Sequence, residues 1–169
     1  MINGASVEKA CTEVGEYTDE QMVAEFDRFF QAQPAICEFI VELTHESGQK
    51  IQELSLFLSY MVFKTMATGQ IAAVGAVQAE EIEAAYRATE SWMALVSQAE
   101  AADLQPAIAA SLQRDTEPYL LQYIISELNE PTEGGDDLND EEKGEVFFVL
   151  KTVISSLTNE PKGKIIEAE

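Results

Sequence analysis

The chain reads as an all-α protein, a single compact bundle of six to seven helices. Three features carry that expectation. Apolar residues recur at three- and four-residue spacing along most of the chain, and no segment keeps the two-residue alternation of a half-buried strand. Only 5 prolines and 9 glycines interrupt its 169 residues. Hydrophobic residues make up 46% and charged residues 24%, the balance of an ordinary globular domain. A chain of this length buries roughly 70% of its unfolded surface, so a core alone can hold it together.

Residues 1–17 have mixed polarity and weak periodicity, and are expected to form a loosely ordered N-terminal tail, with Cys11 in it. The helical domain is expected over 18–160 and a short C-terminal tail over 161–169. Thr18 and Gln21 have the spacing of a reciprocal cap. Met22, Val23, Phe26, Phe29 and Phe30 follow on one predicted face, and Pro34 closes that helix and opens the next. Ile36, Phe39, Ile40 and Leu43 form the second stripe. Ser47 is the expected cap of a third helix, carrying Leu54, Leu58, Met61, Val62 and Met66 and ending at Gly69.

The small residues of 71–77 are read as helical. An Ala- and Glu-rich helix follows over 78–99, with Ile82, Tyr86, Thr89, Met93 and Val96 inward and Trp92 beside them. A short helix is expected over 106–113. Asp115 or Thr116 starts another, with Tyr119, Leu120, Tyr123, Ile124 and Leu128 inward. Residues 131–138, Pro-Thr-Glu-Gly-Gly-Asp-Asp-Leu, read as a loop. Asn139 caps the last long helix, whose stripe is Val146, Leu150, Val153, Ile154 and Leu157.

The chain also resembles itself. Residues 34–41 and 118–125 both open on proline, place an aromatic six residues in (Phe39, Tyr123) and close on a β-branched pair. Leu54, Leu58, Met61 and Val62 then match Val146, Leu150, Val153 and Ile154. Two helical hairpins of common descent, related by a pseudo-two-fold axis with 78–99 crossing between them, are the expectation. The helices over 51–66 and 146–150 are apolar on most sides. Each must be covered from several directions, as the central layer or by a second copy of the chain.

Charge sets the functional expectations. Ten Lys+Arg against 31 Asp+Glu leave a net charge of −21, which repels phosphate backbones and anionic membranes. Neither nucleic acid nor membrane is an expected partner. The start of the chain lacks the pattern of a secretory signal, no apolar run reaches the length of a membrane span, and the cytoplasm is the expected location. A basic protein partner suits the field. The acids of the loop and following cap, Glu133, Asp136, Asp137, Asp140 and Glu141, are its candidate contact surface.

Chemistry is harder to find. His45 is the single histidine, and Cys37 lies eight residues away, about 12 Å along one helix axis and beyond hydrogen-bonding reach. Glu42-x-x-His45 has the spacing of a helical di-iron motif, but one chain cannot supply the second histidine. The acidic loop fails the register of a calcium-binding hand. Gly134-Gly135 leads into acids, which oppose phosphate. No catalytic residue, metal or cofactor is therefore expected. The chain reads as a non-enzymatic intracellular interaction protein, an adaptor, chaperone-like or inhibitor domain, monomeric or homodimeric. A small-molecule binder or enzyme using a Tyr- and Phe-lined cleft between the hairpins is the alternative.

Overall fold

The computed structural model describes residues 2–68, 74–98, 109 and 117–158. Seven helices make up the described part: α1 (Gly4–Gly15), α2 (Asp19–Ala32), α3 (Pro34–Leu43), α4 (Gln49–Thr68), α5 (Ala79–Ser97), α6 (Pro118–Asn129) and α7 (Asp140–Thr158), with no strand among the described residues. They pack as one helical bundle. The expected helix end at Gly69, residues 71–73 of the expected 71–77 helix, the expected short helix over 106–113 apart from residue 109, which is helical, and the starts at Asp115 or Thr116 lie outside the described residues.

Local chemistry sets the boundaries. Thr18 accepts from the Gln21 N–H and Gln21 accepts from the Thr18 N–H, closing the capping box at the start of α2. Asn139 and Glu142 make the same reciprocal pair at α7. Pro34 and Pro118 sit in the first turns of α3 and α6, where no N–H is needed.

Ser47 is not a cap. It stands outside α4 and its hydroxyl donates to the Glu145 carboxylate, while Gly48 turns the chain at a φ of 93°. Residues 74–78 are not helical either. Gln33 claims their backbone polar groups instead.

The segment ahead of α2 is not a loose tail. Asn3 caps α1 by accepting from the Ser6 N–H, and Ile2, Val7 and Ala10 are buried where α1 packs on α4 and α6. Cys11 is half-buried on that face, not in a polar tail. The stripe Val7, Ala10, Val14 was short and diluted by polar neighbours, so periodicity alone understated it.

α7 forms the centre of the bundle together with α4. It packs on α3, α4, α5 and α6, and every residue from Val149 to Ile154 is buried. On α4, Tyr60, Met61 and Val62 are consecutive and all buried. Both broadly apolar helices are thus covered by the other helices of the same chain. The stripe of α2 is narrower than its sequence implies. Met22, Phe26 and Phe29 pack inward, whereas Val23 is 62% and Phe30 41% exposed, since among the described residues α2 packs mainly on α3 and α4. Tyr119 is likewise exposed rather than inward, and Leu121 takes the buried place.

The arrangement repeats itself around the α4–α7 contact. α1 packs on α4 and α6, as α5 packs on α7 and α3. Buried Ile2, Val7 and Ala10 correspond to buried Val77, Ile82 and Ala85, each pair separated by the same interval along the chain. The residues before the two prolines share an unusual conformation, Gln33 at φ −133°, ψ 58° and Glu117 at φ −132°, ψ 67°. Both are buried, and both accept a backbone N–H just ahead of a helix in the other half. Gln33 Oε1 accepts from Val77 N at 3.0 Å, ahead of α5, and Glu117 Oε2 accepts from Ile2 N at 2.7 Å, ahead of α1.

Gln33 Nε2 also donates to the Gly75 carbonyl at 2.9 Å. Gln33→Ala strips two backbone groups of their partners, so it is expected to destabilise the fold by about 2 kcal/mol. Thermal unfolding followed by circular dichroism measures this.

Candidate functional site

Three places gather polar or accessible side chains: the loop between α6 and α7, a half-buried ion network, and a hollow between α3 and α5.

The loop is built, not slack. Gly134 and Gly135 take positive φ, 106° and 77°, so the chain turns where a side chain would strain it. Asp137 Oδ1 accepts from the Thr132 N–H at 2.7 Å and from its hydroxyl at 2.9 Å, and these bonds hold the Asp137 carboxyl below its ordinary range. Lys50 on α4 pairs with the Asp136 carboxylate at 2.9 Å and donates to its carbonyl at 2.9 Å. Such an exposed pair contributes about 0–1 kcal/mol. Glu133, Asp136, Asp137, Asp140 and Glu141 are all exposed. Asp136 and Asp137 fasten the loop, Asp140 and Glu141 face the positive end of the α7 dipole, and Glu133 stands at the turn.

The ion network joins α1, α2 and α4. Lys64 Nζ donates to Glu13 Oε1 at 2.8 Å and to the Tyr17 hydroxyl at 2.7 Å, and lies 3.4 Å from Glu25 Oε2. Tyr60 donates to Glu25 at 3.0 Å, and Tyr17 donates to Glu13 at 2.9 Å. Every charge here has an opposite or a donor beside it. The arrangement is that of a brace between helices.

The hollow between α3 and α5 is different in kind. It measures about 440 Å³, with Ala35, Phe39, Ile82 and Tyr86 as its apolar lining and Glu38, Glu42 and Glu83 around it. The Phe39 and Tyr86 rings meet edge to face at 6.2 Å, and Tyr86 continues onto Phe148 at 5.3 Å, so the floor is anchored to the core. Burial first, and then Glu90, raises the Tyr86 hydroxyl above its ordinary pKa.

A second hollow of about 410 Å³, lined by Val41, Glu42, Leu43, His45 and Glu46, adjoins the first at Glu42. Glu38, Glu42 and Glu46 follow one another at four-residue spacing along α3 and the turn after it. Glu38 and Glu42 therefore edge the first hollow, which has the aromatic floor, and Glu42 and Glu46 edge the second; the two together make up the α3–α5 channel.

Glu42 and His45 flank this channel. Among the described residues no group of three or more His, Cys, Asp or Glu gathers as a metal site. Burial pushes the Cys37 thiol up to about 12, leaving a thiol and not a reactive thiolate. Trp92 is half-buried against Phe147 at 5.8 Å, with Lys151 Nζ 5.0 Å from its ring centre. No helix among the described residues is long and apolar enough to cross a membrane.

Glu38 and Glu83 did not stand out in the sequence as site residues. The four-residue spacing of Glu38, Glu42 and Glu46 was visible there, but only the fold brings α5 alongside. The chain matches no described family, no characterised protein and no solved structure.

Proposed function

We propose that this chain is a non-enzymatic interaction protein of the cytoplasm, an adaptor, chaperone-like or inhibitor domain, and that it binds a basic segment of a partner protein along the α3–α5 channel. The observation that supports this reading most is the union of an apolar, aromatic floor with a carboxylate edge in a chain of net charge −21. An amphipathic helix with Lys or Arg every fourth residue matches that edge turn for turn, while its apolar residues cover Phe39, Ile82 and Tyr86. The overall field speeds the encounter with such a partner and repels acidic competitors.

The test is fluorescence anisotropy with a labelled helical peptide bearing lysine at every fourth residue and leucine between. Binding is expected, weakening as salt screens the charges. Glu38→Lys or Glu83→Lys is expected to weaken it about tenfold or more, since each places a like charge on the docking edge. Glu133→Lys, at a residue that lines neither hollow, is expected to change it little. Equal losses from all three variants, or no binding, overturn the reading. Tight binding of a small aromatic amine with none of the peptide would favour the small-molecule alternative, for which the Phe39 and Tyr86 walls are the support.

A further inference from the structure

The hollow between α3 and α5 has two rings in its lining, set nearly at right angles. Phe39 and Tyr86 meet at an interplanar angle of 79°, both are half-buried, and Ala35 and Ile82 complete the apolar lining. The face of an aromatic ring is its negative part and attracts a cation. Elsewhere the chain meets that attraction from within: Lys64 Nζ lies 5.4 Å from the Tyr17 ring centre, and Lys151 Nζ 5.0 Å from that of Trp92. Among the described residues no cation lies over Phe39 or Tyr86, and none pairs with Glu38 or Glu42 at the edge of the hollow. Glu83 alone of the three edge carboxylates holds a cation, Arg87 one turn on, in an exposed pair that is readily exchanged.

Resting on the proposed function, we infer that this hollow is an arginine subsite: one arginine of the basic segment anchors it there, with its guanidinium over the Tyr86 ring beside Phe39 and its N–H groups on Glu38 or Glu42. The two basic side chains differ in what they can do at such a place. A guanidinium is planar and weakly hydrated, so it stacks on a ring while its in-plane donors reach a carboxylate at the same time. An ammonium is a compact, strongly hydrated point charge, and gives up more water to lie against the same ring. The apolar stem of the arginine covers Ala35 and Ile82, which a charged head alone would leave wet. The carboxylates therefore set the sign of the partner's charge, and the rings choose between its two basic residues.

Anisotropy titrations of the full chain with two helical peptides test the inference. They share the leucines and differ only in carrying lysine or arginine at every fourth residue. The arginine peptide is expected to bind about fivefold more tightly. Tyr86→Phe keeps a ring and is expected to keep that ratio, whereas Tyr86→Leu is expected to bring it close to one. The ratio compares two peptides on one variant, so a general loosening of the hollow does not move it. Circular dichroism confirms that each variant is folded, and Phe39→Leu gives the same reading should Tyr86→Leu fail to fold. Equal affinities for the two peptides in the wild type overturn the arginine subsite and leave the basic-segment reading standing. So does a preference that survives the loss of the ring, since the carboxylates alone then produce it. Binding of neither peptide removes the reading on which the subsite rests.

Discussion

Leu150→Ala is expected to lower stability by about 2–5 kcal/mol, through the lost transfer energy of the side chain and the void left behind. The lower end applies where neighbours can close the gap, and here they cannot do so easily. Leu150 is fully buried on the helix that packs on α3, α4, α5 and α6 at once. The surrounding α7 positions, Val146, Val149, Val153 and Ile154, are β-branched and stiff at χ1. For a domain of this size each kcal/mol corresponds to roughly 2–4 °C, so the melting temperature is expected to fall by about 10 °C. Leu95→Ala makes the same chemical change at a position 69% exposed, and its expected effect is within about 0.5 kcal/mol. Urea unfolding of the two variants decides it. Similar midpoints would mean that α7 does not occupy the centre of the bundle.

The centrality of α7 was legible in the chain, because a helix apolar on most sides has to be covered on most sides. The long amphipathic helices, their caps and the absence of strands were legible for the same reason: each rests on interactions within a few residues of sequence. What escaped depended on distant partners. α1 is a helix because Asn3 caps it and because α4 and α6 cover Val7 and Ala10. Only the first of these is local. Ser47 looks like a cap by composition, yet the distant Glu145 takes its hydroxyl.

Residues 74–78 have apolar and small side chains suited to a helix, but Gln33 binds the chain at Val77 and Gly75. The matching of α1 with α5 did not show in the sequence, since Val7 and Ala10 lie among polar residues. The candidate channel was half legible. Its edge of Glu38, Glu42 and Glu46 follows from helical spacing, whereas Glu83 and Tyr86 enter only when α5 lies against α3. The loop acids were conspicuous as a run of charge, and two of them turn out to hold the loop's own shape.

Lys64→Ala is expected to cost about 2 kcal/mol, less than the roughly 3–5 kcal/mol of breaking a fully buried pair because the network is partly open to water. The Lys64 side chain is 15% exposed and that of Glu25 17%, but Glu13 is 40% exposed. Removing the ammonium leaves two carboxylates near one another and Tyr17 without its donor, so α1 and α2 lose their shared tie to α4. The pH dependence identifies the cause. Burial works to lower the pKa of Lys64, but bonds to Glu13 and Tyr17 and the charge of Glu25 outweigh it, and the folded value rises above 10.5. That contribution is complete below pH 10.5 and is lost as pH climbs through the folded value.

Glu13 moves the other way. The bonds from Lys64 and Tyr17 lower its pKa from 4.5, so its contribution is present above that value and is lost as pH falls through the folded one. Tyr60, raised by burial and then by its bond to Glu25, loses its contribution on the alkaline side together with Lys64. Tyr60→Phe therefore serves as a control for the alkaline limb. Urea unfolding across pH is expected to show the largest gap between wild type and Lys64→Ala on a plateau from about pH 5 to 10, narrowing on both flanks. A gap that stays constant through both flanks would assign the loss to packing of the Lys64 stem, and the ionic brace would not stand.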